Sequence, residues 1–159
     1  MKEIGREDLT MKIPALLHAS RLGYVYLPRK GLKRDRETNI LPDILKAALS
    51  VVNGREMPAE IFSRLMAELR ERLNRDDQGE AFYRTLRDGW DGWRLIDFDS
   101  PDGNRYHAAA ELNCGRGESR FRPDITLFVN GIPLVMMEVK TGDQPRGIRA
   151  EYDRMKKRL

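Results

Sequence analysis

The sequence predicts an α/β or α+β fold, with helices first, then a sheet, then a closing helix. Two observations carry this. Apolar residues recur at helical spacing through the first half, as at Ile61, Leu65, Leu69 and Leu73. After Gly92 the chain instead breaks into short β-prone runs separated by turn signals such as Pro101-Asp102-Gly103-Asn104 and Asn130-Gly131. No internal repeat or low-complexity linker interrupts the 159 residues, a length that suits one domain with a real core.

Each element has its own signal. Leu9, Ile13, Leu16 and Leu17 give a first helix from about Asp8 to Leu22, which Gly23 would end. Tyr24–Leu27 is a short β-prone run, followed by a polar loop with a basic bias through Glu37. Pro42 suits the first position of a helix through Ile44, Leu45, Ala48, Leu49 and Val52, stopped by Asn53-Gly54. Pro58 opens the clearest helix, whose stripe Phe62 and Met66 widen. A further helix runs near Glu80–Arg87. Leu95–Phe98, Tyr106–Leu112, Ile125–Val129 and Leu134–Val139 read as strands, and Pro145–Leu159 as a basic helix.

Bulk properties narrow the function classes. A 34% charged and 40% hydrophobic composition describes a soluble globular protein. The net charge of +4 permits a polyanionic partner without demanding one. Cys114 is the only cysteine, so no internal disulfide forms and a reducing compartment is expected. No apolar run approaches a membrane span, and residues 1–8 lack a signal-peptide core, so a cytoplasmic location is expected. His18 and His107 have no partner motif for zinc. Trp90 and Trp93 read as core or loop anchors, and Gly115-Arg116-Gly117 as a hairpin loop rather than a phosphate cradle.

The chemistry gathers near the end of the chain. Asp124 opens one strand, Asn130-Gly131 turns it, and the return strand closes on Glu138-Val139-Lys140. Glu138 and Lys140 are two apart and share a face in an extended chain. Asp124 joins them only under a particular pairing. A strict two-residue turn pairs Val129 with Ile132 and sets Asp124 opposite Met137. One extra residue in the loop sets Asp124 opposite Glu138, and Pro133, which cannot donate to a ladder, fits such a three-residue connection; the acids therefore meet only with a longer turn or bulge there, or with Asp124 just outside the ladder. Two carboxylates and an ammonium at one strand end suit a hard cation such as Mg²⁺, a water and a phosphodiester. The competing reading is a solvated Glu–Lys pair on a surface strand, worth well under ~1 kcal/mol. The apolar run Ile132–Met137 is too hydrophobic for an exposed edge and favours the first reading.

Residues Arg122-Pro123-Asp124-Ile125-Thr126-Leu127-Phe128-Val129-Asn130-Gly131-Ile132-Pro133-Leu134-Val135-Met136-Met137-Glu138-Val139-Lys140 closely resemble the nuclease segment of type I restriction enzyme R subunits. That segment carries the PD-(D/E)xK signature. Leu22–Leu27 and Leu95–Pro101 with Asn104 are also similar to the family, so the resemblance covers nearly the whole chain. It implies a restriction-endonuclease-like core, with a central mixed sheet flanked by helices. It implies a type I site-specific deoxyribonuclease activity, the Mg²⁺-dependent cutting of DNA. Residues 1–159 would then be a single nuclease domain at the amino-terminal end of a longer motor-containing subunit. By position, Asp124 and Glu138 become metal ligands, with the backbone carbonyl of Val139, and Lys140 the catalytic lysine. Glu7 is the candidate for an assisting acid on the first helix. Arg122, Arg146, Arg149, Arg154 and Lys156 are candidate DNA contacts. Duplex DNA and the modification and specificity subunits of a restriction complex are the implied partners, with no membrane. The chain departs from the family in two places. Ile148 stands where relatives often carry Gln, four residues before Tyr152, and no Gly-x-x-x-x-Gly-Lys-Ser/Thr occurs, so ATP belongs to the full-length protein alone. A stand-alone repair or junction nuclease, and a non-catalytic DNA-binding module of the same fold, are the alternatives.

Overall fold

The computed structural model describes residues 11–114 and 121–140. Four helices precede the main strands: α1 (Ile13–Arg21), α2 (Pro42–Val52), α3 (Ala59–Leu73) and α4 (Glu80–Asp88). The sheet holds β1 (Val25–Tyr26), β2 (Tyr106–Ala110), β3 (Ile125–Val129) and β4 (Ile132–Met137), in the order β1-β2-β3-β4. β1 runs parallel to β2, and the other pairs are antiparallel. The expected mixed α/β architecture is therefore present. A parallel pair needs a long crossover, and the segment carrying α2, α3 and α4 supplies it. Among the described residues no helix is long and apolar enough to cross a membrane.

The helices form where periodicity and prolines place them. Pro42 opens α2 after an extended Leu41, and Pro58 is the residue before α3. Leu45 and Leu49 of α2 share a core with Leu65, Met66 and Leu69 of α3, and Ile40, Met57, Trp93, Leu95 and Ile132 complete it. Leu73, the last residue of the predicted α3 stripe, is exposed. A second cluster, Leu41, Ala109, Leu112, Cys114 and Phe128, lies along β2 and β3. Asn53 ties the end of α2 to the chain beyond Trp93: its amide donates to the carbonyls of Leu49 and Arg94, and its Oδ1 accepts from Arg94 N–H. Trp93 is a core residue, with the Arg55 guanidinium 4.0 Å over its ring.

The structure differs from the sequence expectation at two places that shape the site. Leu95–Phe98 is not a strand. Its backbone is held by side chains: Asn104 Nδ2 donates to Asp97 O, Asp97 N–H donates to Asn104 Oδ1, and Asn130 Nδ2 donates to Leu95 O. Those side chains give the Leu95 carbonyl and both backbone groups of Asp97 partners without a ladder. The second difference is β4, an edge strand of this sheet, on which Leu134, Val135 and Met136 are exposed. Pro133 and a β-bulge interrupt its hydrogen-bonding edge, which blunts pairing with another chain.

The polar loop before α2 is more ordered than its composition suggests. Asp35 Oδ1 accepts from Thr38 N–H, Thr38 Oγ1 and Glu37 N–H, and Oδ2 accepts from Arg70 Nε and Nη2 at 3.1 and 2.6 Å. Burial alone would raise this carboxyl, but the Arg70 bonds, the Thr38 donors and the Arg70 charge outweigh it and lower the pKa from 3.8 to about 2. A depressed carboxylate stabilises the fold fully above its unfolded value. That contribution is lost as pH falls from about 4 through about 2, and it amounts to roughly 2 kcal/mol. Asp35→Asn should therefore lower the denaturant midpoint at neutral pH and flatten its acid-side fall, both readable by urea unfolding of the full chain. An equally steep fall in the variant would remove Asp35 from the acid response.

Candidate catalytic site at the end of β3 and β4

The hairpin turn is the strict two-residue form, with Val129 paired to Ile132 and both Asn130 (φ +53°) and Gly131 (φ +81°) left-handed. By itself that turn would misplace the acids. The register shifts between Leu127 and Phe128, because Phe128 pairs with Pro133 but Leu127 pairs with Val135. Leu134 is the extra residue of a β-bulge. Beyond it Thr126 pairs with Met136 and Ile125 with Met137, so one further step sets Asp124 opposite Glu138. The extra residue that the acid pairing requires is present, inside β4 rather than in the turn.

Asp124 sits just before β3, partly buried behind Pro123, which is buried. Its Oδ2 accepts the Val139 N–H at 2.9 Å, which pins the carboxylate against the backbone between Glu138 and Lys140. Val139 is 8% exposed, Glu138 is exposed and Lys140 is half-buried. The hairpin thus brings Asp124 to the Glu-x-Lys segment.

Two residues that sequence reasoning missed join this end of the sheet. Glu111 follows β2, and its N–H donates to Asp124 O at 3.1 Å, one step beyond the Ala110–Ile125 pair. It adopts φ +54°, which ends β2 short of the predicted Leu112. Lys12, at the entry to α1, is 9% exposed, and its Nζ lies 2.9 Å from Glu111 Oε1 and 3.6 Å from Asp124 Oδ1. Arg122 Nη1 and Arg29 Nη1 lie 3.9 and 4.0 Å from Glu111 Oε2. Of the candidate DNA contacts, Arg122 is exposed beside the site. Glu7, Arg146, Arg149, Arg154 and Lys156 lie outside the described residues, as do Arg116, Ile148 and Tyr152.

Chemically, the row Glu111, Asp124 and Glu138 places carboxylates at the ends of three adjacent strands, with lysines at Lys12 and Lys140. Among the described residues no group of three or more His, Cys, Asp or Glu could hold a metal ion. The donor chemistry at Asp124 and Glu138 still fits Mg²⁺, which takes one or two carboxylates and fills its remaining positions with water and phosphate oxygens. His107 stays apart from this chemistry. Burial and then the Arg105 charge lower its pKa, which favours the neutral ring at physiological pH. Burial raises the Cys114 thiol and keeps it unreactive.

The family model described as type I restriction enzyme R protein N terminus matches residues 5–158. The type I restriction enzyme HindI endonuclease subunit of Haemophilus influenzae is 36% identical over 77 residues, covering 40% of this chain and 7% of that protein. A chain from Methanocaldococcus jannaschii, described as a type I restriction enzyme MjaVIIP endonuclease subunit, is 42% identical over 48 residues, 30% of this chain and 4% of its own length. A second from that organism, described as the MjaVIIIP endonuclease subunit, is 26% identical over 98 residues, 62% of this chain and 9% of its own length. The chain therefore spans less than a tenth of the length of these relatives. With nearly its whole length matched, the chain belongs to the family of type I restriction enzyme R protein N-terminal regions.

Proposed function

We propose that this chain is the DNA-cutting module of a type I restriction enzyme R subunit, a Mg²⁺-dependent endonuclease with Asp124, Glu138 and Lys140 as its catalytic set. The observation that carries the reading is the bulged register, which sets Asp124 opposite Glu138 while the Val139 N–H holds the Asp124 carboxylate. Asp124 and Glu138, with the Val139 carbonyl, would hold the ion. When bound, Mg²⁺ polarises a phosphate oxygen and lowers the pKa of a bound water. Lys140 places its ammonium near the attacked phosphorus, where it orients the water and offsets the developing charge. Water would add to phosphorus, giving up a proton to solvent, as one P–O ester bond breaks and its oxygen leaves as the hydroxyl of the cut strand after taking up a proton. Arg122 is exposed beside the site and is assigned to phosphate contact, a sequence-independent role.

In this reading residues 1–159 form one nuclease domain of a longer, cytoplasmic subunit whose ATP-driven motor lies elsewhere. Modification and specificity subunits supply recognition of the DNA sequence. The test is cleavage of duplex DNA by the assembled complex with Mg²⁺ and ATP. Asp124→Asn should reduce cutting by at least about 100-fold while ATP hydrolysis persists, because the substitution removes charge from the ion site and not from the motor. Undiminished cutting by Asp124→Asn would refute the site. Fast cutting of plain duplex by the 159-residue chain alone would instead favour a stand-alone nuclease.

A further inference from the structure

We propose that Lys12 and Glu111 are a positioning pair for the Asp124 carboxylate, and that together they set how strongly this end of the sheet attracts a divalent cation. The inference rests on the reading of Asp124 as a metal ligand. Its basis is that both Asp124 oxygens are already addressed by the protein. Oδ2 takes the Val139 N–H at 2.9 Å, and Oδ1 faces Lys12 Nζ at 3.6 Å. An ionised carboxylate offers about four lone-pair sites, so two such partners fix its orientation and leave room for an ion.

The ammonium is itself held. Lys12 is 9% exposed, and Lys is almost never so buried without a paired charge. Glu111 supplies that charge at 2.9 Å. Glu111 is in turn fixed to the Asp124 backbone through its N–H and flanked by Arg29 and Arg122. The pair thus links the entry to α1, the end of β2 and the start of β3.

The two side chains act on a cation with opposite signs. The Lys12 charge repels a divalent ion arriving at Asp124 and Glu138, and the Glu111 charge attracts it. Across a few ångströms at a partly solvated site, removing one unit charge changes affinity for a doubly charged ion on the order of tenfold. Lys12→Met should therefore tighten cation binding by about that factor, and Glu111→Gln should weaken it by a similar one. The double variant should bind the ion nearly as the wild type does, because the two charges cancel. It should still cut DNA poorly, because Asp124 has lost its second anchor. A residue that merely supported the fold would weaken binding in every variant.

The experiment is calorimetric binding of Mn²⁺, which the same oxygen donors accept, to the full chain in wild-type, Lys12→Met, Glu111→Gln and double-variant forms. Melting temperature serves as the control for folding. Tightening in Lys12→Met, weakening in Glu111→Gln and near-restoration in the double variant support the pair. Unchanged or weaker Mn²⁺ binding in a folded Lys12→Met overturns it. Should that variant not fold, unchanged binding in Glu111→Gln overturns it equally, since Glu111 is the more exposed partner. Asp124→Asn separates the two levels. If it keeps full Mn²⁺ binding, the metal-site reading falls; if it loses binding while the Lys12 and Glu111 variants behave as wild type, only the positioning pair falls.

Discussion

Gly131→Ala is expected to destabilise the protein strongly although it adds only one methyl group. Gly131 sits at φ +81°, and a Cβ there would stand 2.8 Å from Leu41 O, 3.0 Å from Leu45 N and 3.3 Å from Ile44 Cβ. Two of those three atoms belong to the backbone where α2 begins, so no flexible side chain can simply swing aside. The same contact is a working hydrogen bond, since Leu41 N–H donates to Gly131 O at 2.8 Å. A left-handed alanine costs about 1 kcal/mol, and forcing the turn away from α2 adds about 1–3 kcal/mol or more. Against a total stability of roughly 5–15 kcal/mol, a loss of about 2–4 kcal/mol is large. For a chain of this size it corresponds to a fall in melting temperature of about 10 °C. Thermal unfolding followed by circular dichroism would show it, and a melting temperature within about a degree of wild type would disprove the wedge.

Lys140→Ala should have the opposite signature, a large loss of cutting with little loss of fold. Lys140 lies beyond the end of β4 and is only half-buried, so truncation removes little packing. Deleting one preorganised group that stabilises transition-state charge costs about 10²–10³-fold in rate. The expected result is a drop of that order in DNA cleavage by the assembled complex with Mg²⁺ and ATP. Melting temperature and ATP hydrolysis should stay close to wild type. Cleavage at the wild-type rate would remove Lys140 from the catalytic set.

Much of this was legible in local sequence. The helix starts at Pro42 and Pro58 follow from proline chemistry, and the Asn130-Gly131 turn from the left-handed backbone that a two-residue hairpin demands. The need for one extra residue between Asp124 and Glu138 was also countable, but its position was not. Other features escaped because they depend on residues distant in sequence. Asn130 reads as a turn residue, yet it is fully buried and its amide joins Leu95 O and Asn104 Oδ1 at 2.8 Å each. That link, with Asn104, is why Leu95–Phe98 needs no strand partner despite its β-prone residues. Lys12 reads as an ordinary polar residue at the start of a helix, and only its partner 99 residues away reveals a buried ammonium. Glu111 lies inside a predicted strand, and nothing local signals the backbone reversal that brings it beside Asp124.

The bulge makes the hairpin asymmetric, and the asymmetry bears on how such chains tolerate changes in length. Five residues separate Asp124 from the turn and six separate the turn from Glu138. Leu134 is the surplus one, opposed by no residue of β3. A chain lacking it would have equal arms and a flush ladder, with Asp124 still facing Glu138. Adding one residue to β4 or removing one from β3 has no such outlet, because each turns the glutamate to the other face of the sheet. Length variation at this hairpin is therefore one-sided: the spare residue can be lost without moving the acids, while the remaining positions keep a fixed count from the turn.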